Sequence, residues 1–77
     1  MKTSYRVDGF DRRLKTAIAE SNLTVTEVQR KSGVSRSNMW NYIFDGVNPS
    51  IYTLKRLAIT LNVSADYLLG IEGRKDA

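Results

Sequence analysis

Residues 23–46 constrain the fold more than any other part of the chain, because they contain start and stop signals for two short helices. The first helix begins with a capping box, in which the Thr24 hydroxyl accepts a hydrogen bond from the amide of Glu27 and the Glu27 carboxylate accepts one from the amide of Thr24. Gly33 ends this helix, since glycine adopts a positive φ without strain. Ser35 then caps the second helix. The segment therefore predicts two helices on either side of a tight turn.

Helical spacing of apolar residues continues on both sides of this segment, whereas alternating runs bounded by hairpin turns do not occur. We therefore predict an all-α chain of five short helices and no sheet. The first predicted helix runs from residue 8 or 9 to residue 21 and can be capped by Asp8, and the next two cover residues 25–32 and 36–44. The fourth begins at residues 49–51, with Pro49 suited to the first turn, and ends at residue 61 or 62, and the fifth lies between its cap Ser64 and Gly70. The predicted core residues are Phe10, Leu14, Ala17, Ile18, Met39, Tyr42, Ile43, Ile51, Leu54, Leu57, Ala58 and Leu61.

The length of 77 residues fits one small domain with one core. We assign this domain to residues 8–70, after an N-terminal arm at residues 1–7 that we expect to be flexible, and before a polar tail at residues 71–77. No apolar run approaches the ~20 residues of a membrane span, and the N-terminus lacks the apolar region of a signal peptide. We therefore expect a cytoplasmic protein that does not contact membranes.

The composition argues against catalysis and metal binding. The chain has no Cys and no His, which removes thiolate metal sites, the commonest zinc ligand and the commonest general base. Its carboxylates are scattered, and the turn at Lys31, Ser32 and Gly33 lacks the glycine frame of a phosphate-binding P-loop. We therefore predict that the protein is not an enzyme and binds no metal or cofactor.

The net charge of +4 lies entirely in the first half of the chain. Residues 1–36 hold eight basic and four acidic residues, whereas residues 37–77 hold four of each. A one-sided positive field favours a face that binds nucleic acid. The alternative is a solvated surface whose charges are unevenly distributed by chance.

The ordered motifs resemble the Cro-type helix-turn-helix family, also described as lambda-repressor-like or as the xenobiotic-response-element family. The residues that carry the resemblance are Leu23, Thr24, Glu27, Val28, residues 31–37, residues 48–50, Leu54, Leu57, Ala58 and residues 62–70. The resemblance implies a compact five-helix domain with the helix-turn-helix at its second and third helices. It also implies that the third helix enters the major groove of double-stranded DNA, usually in a homodimer on a palindrome.

The third helix of such a domain carries the base contacts. The candidate base-contacting residues are Arg36, Ser37, Asn38, Trp40 and Asn41. Arg36 can donate twice to guanine O6 and N7, and Asn41 can bond an adenine edge. Arg36 could instead contact a phosphate or cap the helix in solvent, and Asn38 could do the same.

Phosphate contacts are predicted at helix N-termini, where free amides and hydroxyl groups lie together. The candidates are Thr24, Thr26, Ser35, Asn48 and Ser50. The last two lie in a loop that approaches the DNA backbone in the resembled family.

Trp40 and Phe44 lie four residues apart on the predicted outer side of the third helix. Large exposed aromatic residues usually mark a contact surface, here to thymine methyl groups or sugars. In the other interpretation the helix is rotated, and both rings are partly buried against the fourth helix. Nothing in the residues decides between these two.

Four positions depart from the family pattern. Val25 replaces a polar residue that contacts phosphate at the start of the second helix, and Gln29 replaces a small residue where the third helix crosses closely. Ile18 and Ile43 replace an arginine and a glutamate that pair across the domain in many members. Since both charges are absent together, we hypothesise that the two isoleucines touch.

The leading functional prediction is a sequence-specific transcriptional regulator, a repressor of the phage or mobile-element type that binds a palindromic operator as a dimer. It would be bacterial or phage-encoded and associated with the nucleoid. The alternative is an antitoxin-like or adaptor protein that uses this fold to bind another protein. The candidate dimer-interface residues are Tyr52, Ile59, Leu69 and Ile71. The chain is either a small Cro-like protein or the N-terminal domain of a longer repressor.

Overall fold

The structure, a computed structural model, describes residues 7–71. The all-α prediction is confirmed, since the described residues form five helices and none of them belongs to a β-strand. The helices are α1 (Phe10–Ser21), α2 (Val25–Ser32), α3 (Arg36–Phe44), α4 (Ile51–Leu61) and α5 (Ala65–Leu69). None of the helices in this range is long and apolar enough to cross a membrane.

Side-chain caps and left-handed residues define most helix ends, and the caps predicted at Thr24 and Ser35 and the stop predicted at Gly33 are confirmed. The capping box of α2 is present: the Glu27 amide donates to Thr24 Oγ1 over 3.1 Å, and the Thr24 amide donates to Glu27 Oε1 over 2.8 Å. Ser35, Ser50 and Ser64 cap α3, α4 and α5 through their side chains. The left-handed residues that end helices are Asn22, Gly33, Asn62 and Gly70.

Three details of the predicted helices are wrong. Asp8 does not cap α1, because Gly9, with a φ of 78°, occupies the N-cap position and no side chain caps this helix. Pro49 lies outside α4, because Ser50 is the N-cap and the helix begins after it. Ile51 is 88% exposed rather than in the core, since the first turn of α4 is exposed or half-buried throughout.

One cluster of buried side chains joins the five helices. Its members are Phe10, Leu14, Ala17, Ile18, Val28, Val34, Met39, Tyr42, Ile43, Leu57, Ala58, Leu61, Val63 and Leu68. Helix α1 packs against α3, α4 and α5, and α2 packs against α3 and α4. Ile18 and Ile43 lie in this cluster on two packed helices, so their apolar side chains leave no buried charge there. Their direct contact stays a prediction.

The first described residue is held against the loop before α4. Asn48 Oδ1 accepts from the Val7 amide over 2.7 Å, and Asn48 Nδ2 donates to the Val7 carbonyl over 3.3 Å. Val7 also packs against the core. The folded unit therefore includes Val7, which was assigned to the arm. The rest of the predicted arm, residues 1–6, and residues 72–77 of the predicted tail lie outside the described residues.

Arg13 of α1 joins the two ends of the described chain. Its Nε donates to the carbonyl of Leu68 in the last turn of α5 over 2.9 Å, and its Nη2 donates to the carbonyl of Asp8 over 2.7 Å. We call this pair of hydrogen bonds the Arg13 clasp. It fixes the start of α1 beside the end of α5.

Arg56 of α4 holds the end of α2 in a similar way. Its Nε donates to the carbonyl of Ser32, the last residue of α2, and its Nη1 donates to the Tyr52 hydroxyl over 3.2 Å. The guanidinium carbon also lies 5.7 Å from the centroid of the Tyr52 ring. We call these contacts the Arg56 clasp. They tie the turn between α2 and α3 to the long fourth helix.

Candidate nucleic-acid interface

The turn between α2 and α3 is fixed from within. Gly33 adopts a φ of 77°, and its amide donates to the carbonyl of Gln29 over 3.0 Å. Ser32 and Val34, on either side of it, are buried, and the Ser32 hydroxyl accepts from the Val34 amide over 3.3 Å. Ser35 then caps the next helix, so hydrogen bonds within the segment hold the turn on both sides of Gly33.

The outward face of α3 is a stripe at helical spacing, formed by Ser37, Trp40, Asn41 and Phe44. The opposite face, with Met39, Tyr42 and Ile43, is buried in the core.

Arg36 lies beside the polar end of this stripe, and Arg36, Ser37, Trp40 and Asn41 line one shallow groove. Within residues 7–71, the side chains of Arg36, Ser37 and Asn41 make no hydrogen bond to the protein. Their donors are available to another molecule.

Asn38 lies apart from the other candidate base contacts. Its amide is the group that the Ser35 hydroxyl caps, over 3.2 Å. Asn38 lines a second groove together with Ser35, Tyr52 and Arg56. The structure therefore does not bring Asn38 together with Arg36 and its neighbours.

The two aromatic residues of the stripe are exposed. Trp40 is 55% exposed and Phe44 is 57% exposed, with ring centroids 4.6 Å apart and planes tilted by 58°. The Lys15 ammonium group of α1 lies 5.8 Å from the Phe44 centroid. Trp40 borders a groove between α2 and α3. The rings are thus flanked by α1 and α2, so the interpretation that buries them against the fourth helix is wrong.

The five candidate phosphate contacts differ in how much of their hydrogen-bonding capacity is already used. The Ser50 hydroxyl donates to Thr53 Oγ1 over 3.1 Å, and both polar atoms of the Asn48 amide bind Val7. The Ser35 hydroxyl only accepts, from the Asn38 amide, whereas the Thr24 hydroxyl accepts from the Glu27 amide and also binds the Glu27 carboxylate. Thr26 is exposed and makes no hydrogen bond through its side chain within the described residues.

A carboxylate sits at the start of α2, where an anion would be expected to bind. The Thr24 amide and hydroxyl bind Glu27, and these hydrogen bonds lower the pKa of the Glu27 carboxyl below its ordinary value. Lys31 and Arg30 lower this pKa further through their charges. A phosphate that approaches here must therefore be held by the Thr26 hydroxyl and the remaining amides, beside a negative charge.

Three residues of this surface escaped the sequence reasoning. Gln29 is half-buried and lines the groove between α2 and α3 with Thr26, Arg36 and Trp40, so it faces the candidate site, a role that the sequence did not indicate. Lys15 and Arg56 were counted only as charges. The signal for Arg56 was its spacing of four from Tyr52 on one helix, whereas nothing local links Lys15 to Phe44.

The candidate dimer residues form no part of the α3 face. Tyr52 is 67% exposed and Ile59 and Ile71 are each 68% exposed, whereas Leu69 is half-buried. The Tyr52 hydroxyl is bound to Arg56 in the same chain, which leaves its ring as the accessible part. No group of three or more potential metal ligands occurs among residues 7–71.

Comparison with known proteins identifies the architecture. The sequence of residues 14–68 matches the Helix-turn-helix family. The HTH-type transcriptional regulator ImmR of Bacillus subtilis is 39% identical over 59 residues, which cover 77% of this chain and 46% of ImmR. This chain thus spans less than half the length of that relative.

Two solved structures have the same fold. The N-terminal DNA-binding domain of SinR from Bacillus subtilis superposes with a TM-score of 0.74 at 29% identity, over 79% of this chain and 90% of that domain. The restriction-modification controller protein C.AhdI from Aeromonas hydrophila superposes with a TM-score of 0.72 at 22% identity, over 80% and 94%. On this match of sequence and structure, the chain belongs to the Cro-type helix-turn-helix family.

Proposed function

We propose that this chain binds double-stranded DNA sequence-specifically and represses transcription from a palindromic operator as a homodimer. The observation that carries the proposal is the outward face of α3, where Arg36, Ser37 and Asn41 present donors that no other described residue uses. A recognition helix needs such donors, because base edges in the major groove are read through hydrogen bonds. The similarity to ImmR, a transcriptional regulator, supports the regulatory role.

Repression would be steric, since a dimer on its operator excludes polymerase and no chemistry is required. Arg36 is the candidate for guanine, Asn41 for adenine, and Ser37 for either base. Trp40 is the apolar member of the set. Asn38, beside Ser35 in the second groove, is better suited to a phosphate.

Thr26 and Ser35 are the phosphate contacts that this proposal retains, because their hydroxyl groups can still donate, whereas the Thr24 hydroxyl is engaged with Glu27. Asn48 and Ser50 support the loop before α4 through Val7 and Thr53. A repressor of the phage or mobile-element type, acting at the nucleoid of a bacterial cell, is the setting in which we place this function.

Selection of bound duplexes from a random pool at near-physiological salt tests the proposal. We expect a two-fold palindrome with half-sites about one helical turn, roughly 34 Å, apart. Arg36→Ala should weaken binding to the enriched duplex by ~1–3 kcal/mol and relax the sequence preference at one base pair. Equal weakening of enriched and unrelated duplexes would reduce Arg36 to a phosphate contact, and a lack of enrichment at every salt concentration would contradict DNA binding.

The exposed apolar residues of α4 favour a second candidate function, that of an antitoxin-like or adaptor protein. Tyr52 and Ile59 lie away from the α3 face and could contact a second copy or a different protein. Sedimentation of Ile59→Glu over a concentration series separates these uses. A weakened dimer assigns Ile59 to the homodimer, whereas an unchanged dimer constant removes it from that interface.

A further inference from the structure

The outward face of α3 changes character along its length. Its N-terminal half is polar, with Arg36 and Ser37, whereas its C-terminal half carries the exposed rings of Trp40 and Phe44. We call these two rings the aromatic ridge. Their centroids are 4.6 Å apart, so they form one continuous apolar surface instead of two isolated side chains.

The surroundings of the aromatic ridge are polar and positively charged. Asn41 and Arg36 line one groove with Trp40, the first ring of the ridge. The Lys15 ammonium group stands 5.8 Å from the Phe44 centroid. A molecule that covers the ridge must therefore also accept hydrogen bonds from Asn41 and Arg36 and tolerate two nearby cations. An apolar protein helix would leave these donors and charges buried without partners.

The major groove of DNA meets both requirements. Its floor presents acceptors and donors of the base edges, its rim is anionic, and the only apolar group on it is the C5 methyl of thymine. An adenine–thymine pair offers an edge that suits an amide such as Asn41 beside a methyl group that suits an aromatic ring. Asn41 and Trp40 line the same groove, so one adenine–thymine pair in that groove would meet both side chains.

We propose that the aromatic ridge reads thymine C5 methyl groups in the operator half-site, at or next to the adenine–thymine pair that Asn41 contacts. This inference rests on the proposed DNA-binding function and adds the chemistry of part of the readout. Phe44 thereby joins the specificity-determining residues, and Lys15 flanks the ridge as the cation that faces the phosphate rim.

Replacement of thymine by deoxyuridine tests this directly, because it removes only the methyl group. Each thymine of the enriched duplex is replaced in turn, and the affinity is measured. Burial of one methyl group contributes ~0.8 kcal/mol, so the unsubstituted protein should lose about three- to fivefold in affinity at each contacted position. For Trp40→Gln or Phe44→Gln, replacement at the same positions should cost less than about twofold.

The variants can be controlled closely. Both ridge positions are more than half exposed, so glutamine there should leave the fold intact, which thermal unfolding checks. Ile51→Gln removes an even more exposed apolar side chain outside the ridge and should keep the full methyl dependence. Trp40→Phe should keep part of the methyl dependence, since an aromatic ring remains at this position.

Intrinsic fluorescence provides a second readout, because Trp40 is the only tryptophan in the chain. Addition of the enriched duplex should change the emission of Trp40, as bases and methyl groups replace water around the indole. The duplex with deoxyuridine at the contacted positions, compared at saturation, should produce a smaller change.

Two outcomes would overturn this inference alone. If no deoxyuridine replacement affects the unsubstituted protein, while Trp40→Gln weakens enriched and unrelated duplexes equally, the rings contact sugars and read no sequence. If both glutamine variants bind every duplex as the unsubstituted protein does, DNA does not cover the ridge and a protein partner is left as its occupant. Failure to enrich any duplex would instead overturn the proposed function, and this inference with it.

Discussion

The Arg13 clasp and the Arg56 clasp use the same contact at the ends of two different helices, α5 and α2. In each, the Nε of an arginine donates to a carbonyl in the last turn of a helix that a left-handed glycine ends. Arg13 reaches across 55 residues to α5, and Arg56 reaches across 24 residues to α2. Their second partners differ, since Arg13 holds the Asp8 carbonyl whereas Arg56 holds the Tyr52 side chain.

The helices that receive these clasps differ in what they already contain. Helix α5 has no basic residue in its last turn, so Arg13 supplies the positive charge that the negative end of a helix favours. Helix α2 already has Arg30 and Lys31 in its last turn. Arg56 is therefore not needed for charge there, and we expect it to position the turn before α3. On this hypothesis the Arg13 clasp acts on stability alone, whereas the Arg56 clasp also orients the candidate reading surface.

Substitution of the glycine beside each clasp should show the largest difference between the two. A Cβ on Gly70 would lie 2.8 Å from the Arg13 guanidinium carbon, whereas a Cβ on Gly33 would lie 3.4 Å from the nearest atom of Arg56. Both positions also carry the cost of a positive φ, ~1–2 kcal/mol. We expect Gly70→Ala to lower the free energy of unfolding by about 3 kcal/mol, and Gly33→Ala by about 1–2 kcal/mol.

Double variants isolate the part that belongs to the clasp. In an Arg13→Ala background the cost of Gly70→Ala should fall by about 1 kcal/mol, because the displaced guanidinium is absent. The same cycle with Gly33 and Arg56 should be additive. Urea unfolding followed by circular dichroism measures both cycles, and additivity at Gly70 would show that its cost is backbone strain alone.

Removal of the arginines themselves should have the next largest effect. Arg13→Ala deletes two charge-assisted hydrogen bonds to backbone carbonyls, and we expect a loss of about 2 kcal/mol in the free energy of unfolding. Arg12→Ala is the matched control, since Arg12 is exposed and its side chain makes no hydrogen bond within residues 7–71. Equal losses for the two variants would mean that net charge, and not the clasp, is responsible.

Arg56→Lys should separate positioning from stability. Lysine keeps the charge but cannot donate to Ser32 and Tyr52 in the same planar geometry, so we expect about 1 kcal/mol of destabilisation. If the clasp orients α3, affinity for the enriched duplex should also fall about threefold at a temperature where the variant is fully folded. Arg13→Ala should leave that affinity unchanged. An Arg56→Lys variant that binds normally would assign Arg56 to stability only.

The capping box of Thr24 and Glu27 at the start of α2 is also a helix-end contact, but it joins residues only three apart, and we expect its effect to be the smallest. The amide of Thr24 lowers the pKa of Glu27, so the ionised form stabilises the fold above its ordinary pKa, and this contribution is lost as the pH falls through the lowered value. Glu27→Gln keeps an acceptor that does not titrate. The stability advantage of Glu27 over glutamine should therefore be present at neutral pH and disappear on acidification, and a constant difference would contradict this.

The two clasps also mark where prediction from sequence ends. Caps and left-handed stops act within one or two turns, which is why Thr24, Ser35 and Gly33 predicted the helix-turn-helix correctly. The outward stripe of α3 followed from helical spacing. The contacts of Arg13, of Asn48 with Val7 and of Lys15 with Phe44 join residues far apart in sequence, and no local pattern encodes them. The core prediction for Ile51 was wrong because helical spacing does not reveal which turn of a helix extends past the core.

The Arg13 clasp has a topological consequence. A single guanidinium contacts carbonyls of both Asp8 and Leu68, so the two ends of the described chain are neighbours. A short linker across this junction would allow the backbone to be opened at another loop with the core packing retained, as circular permutation requires. The helices could therefore follow one another in a different order along the chain and still pack in the same arrangement.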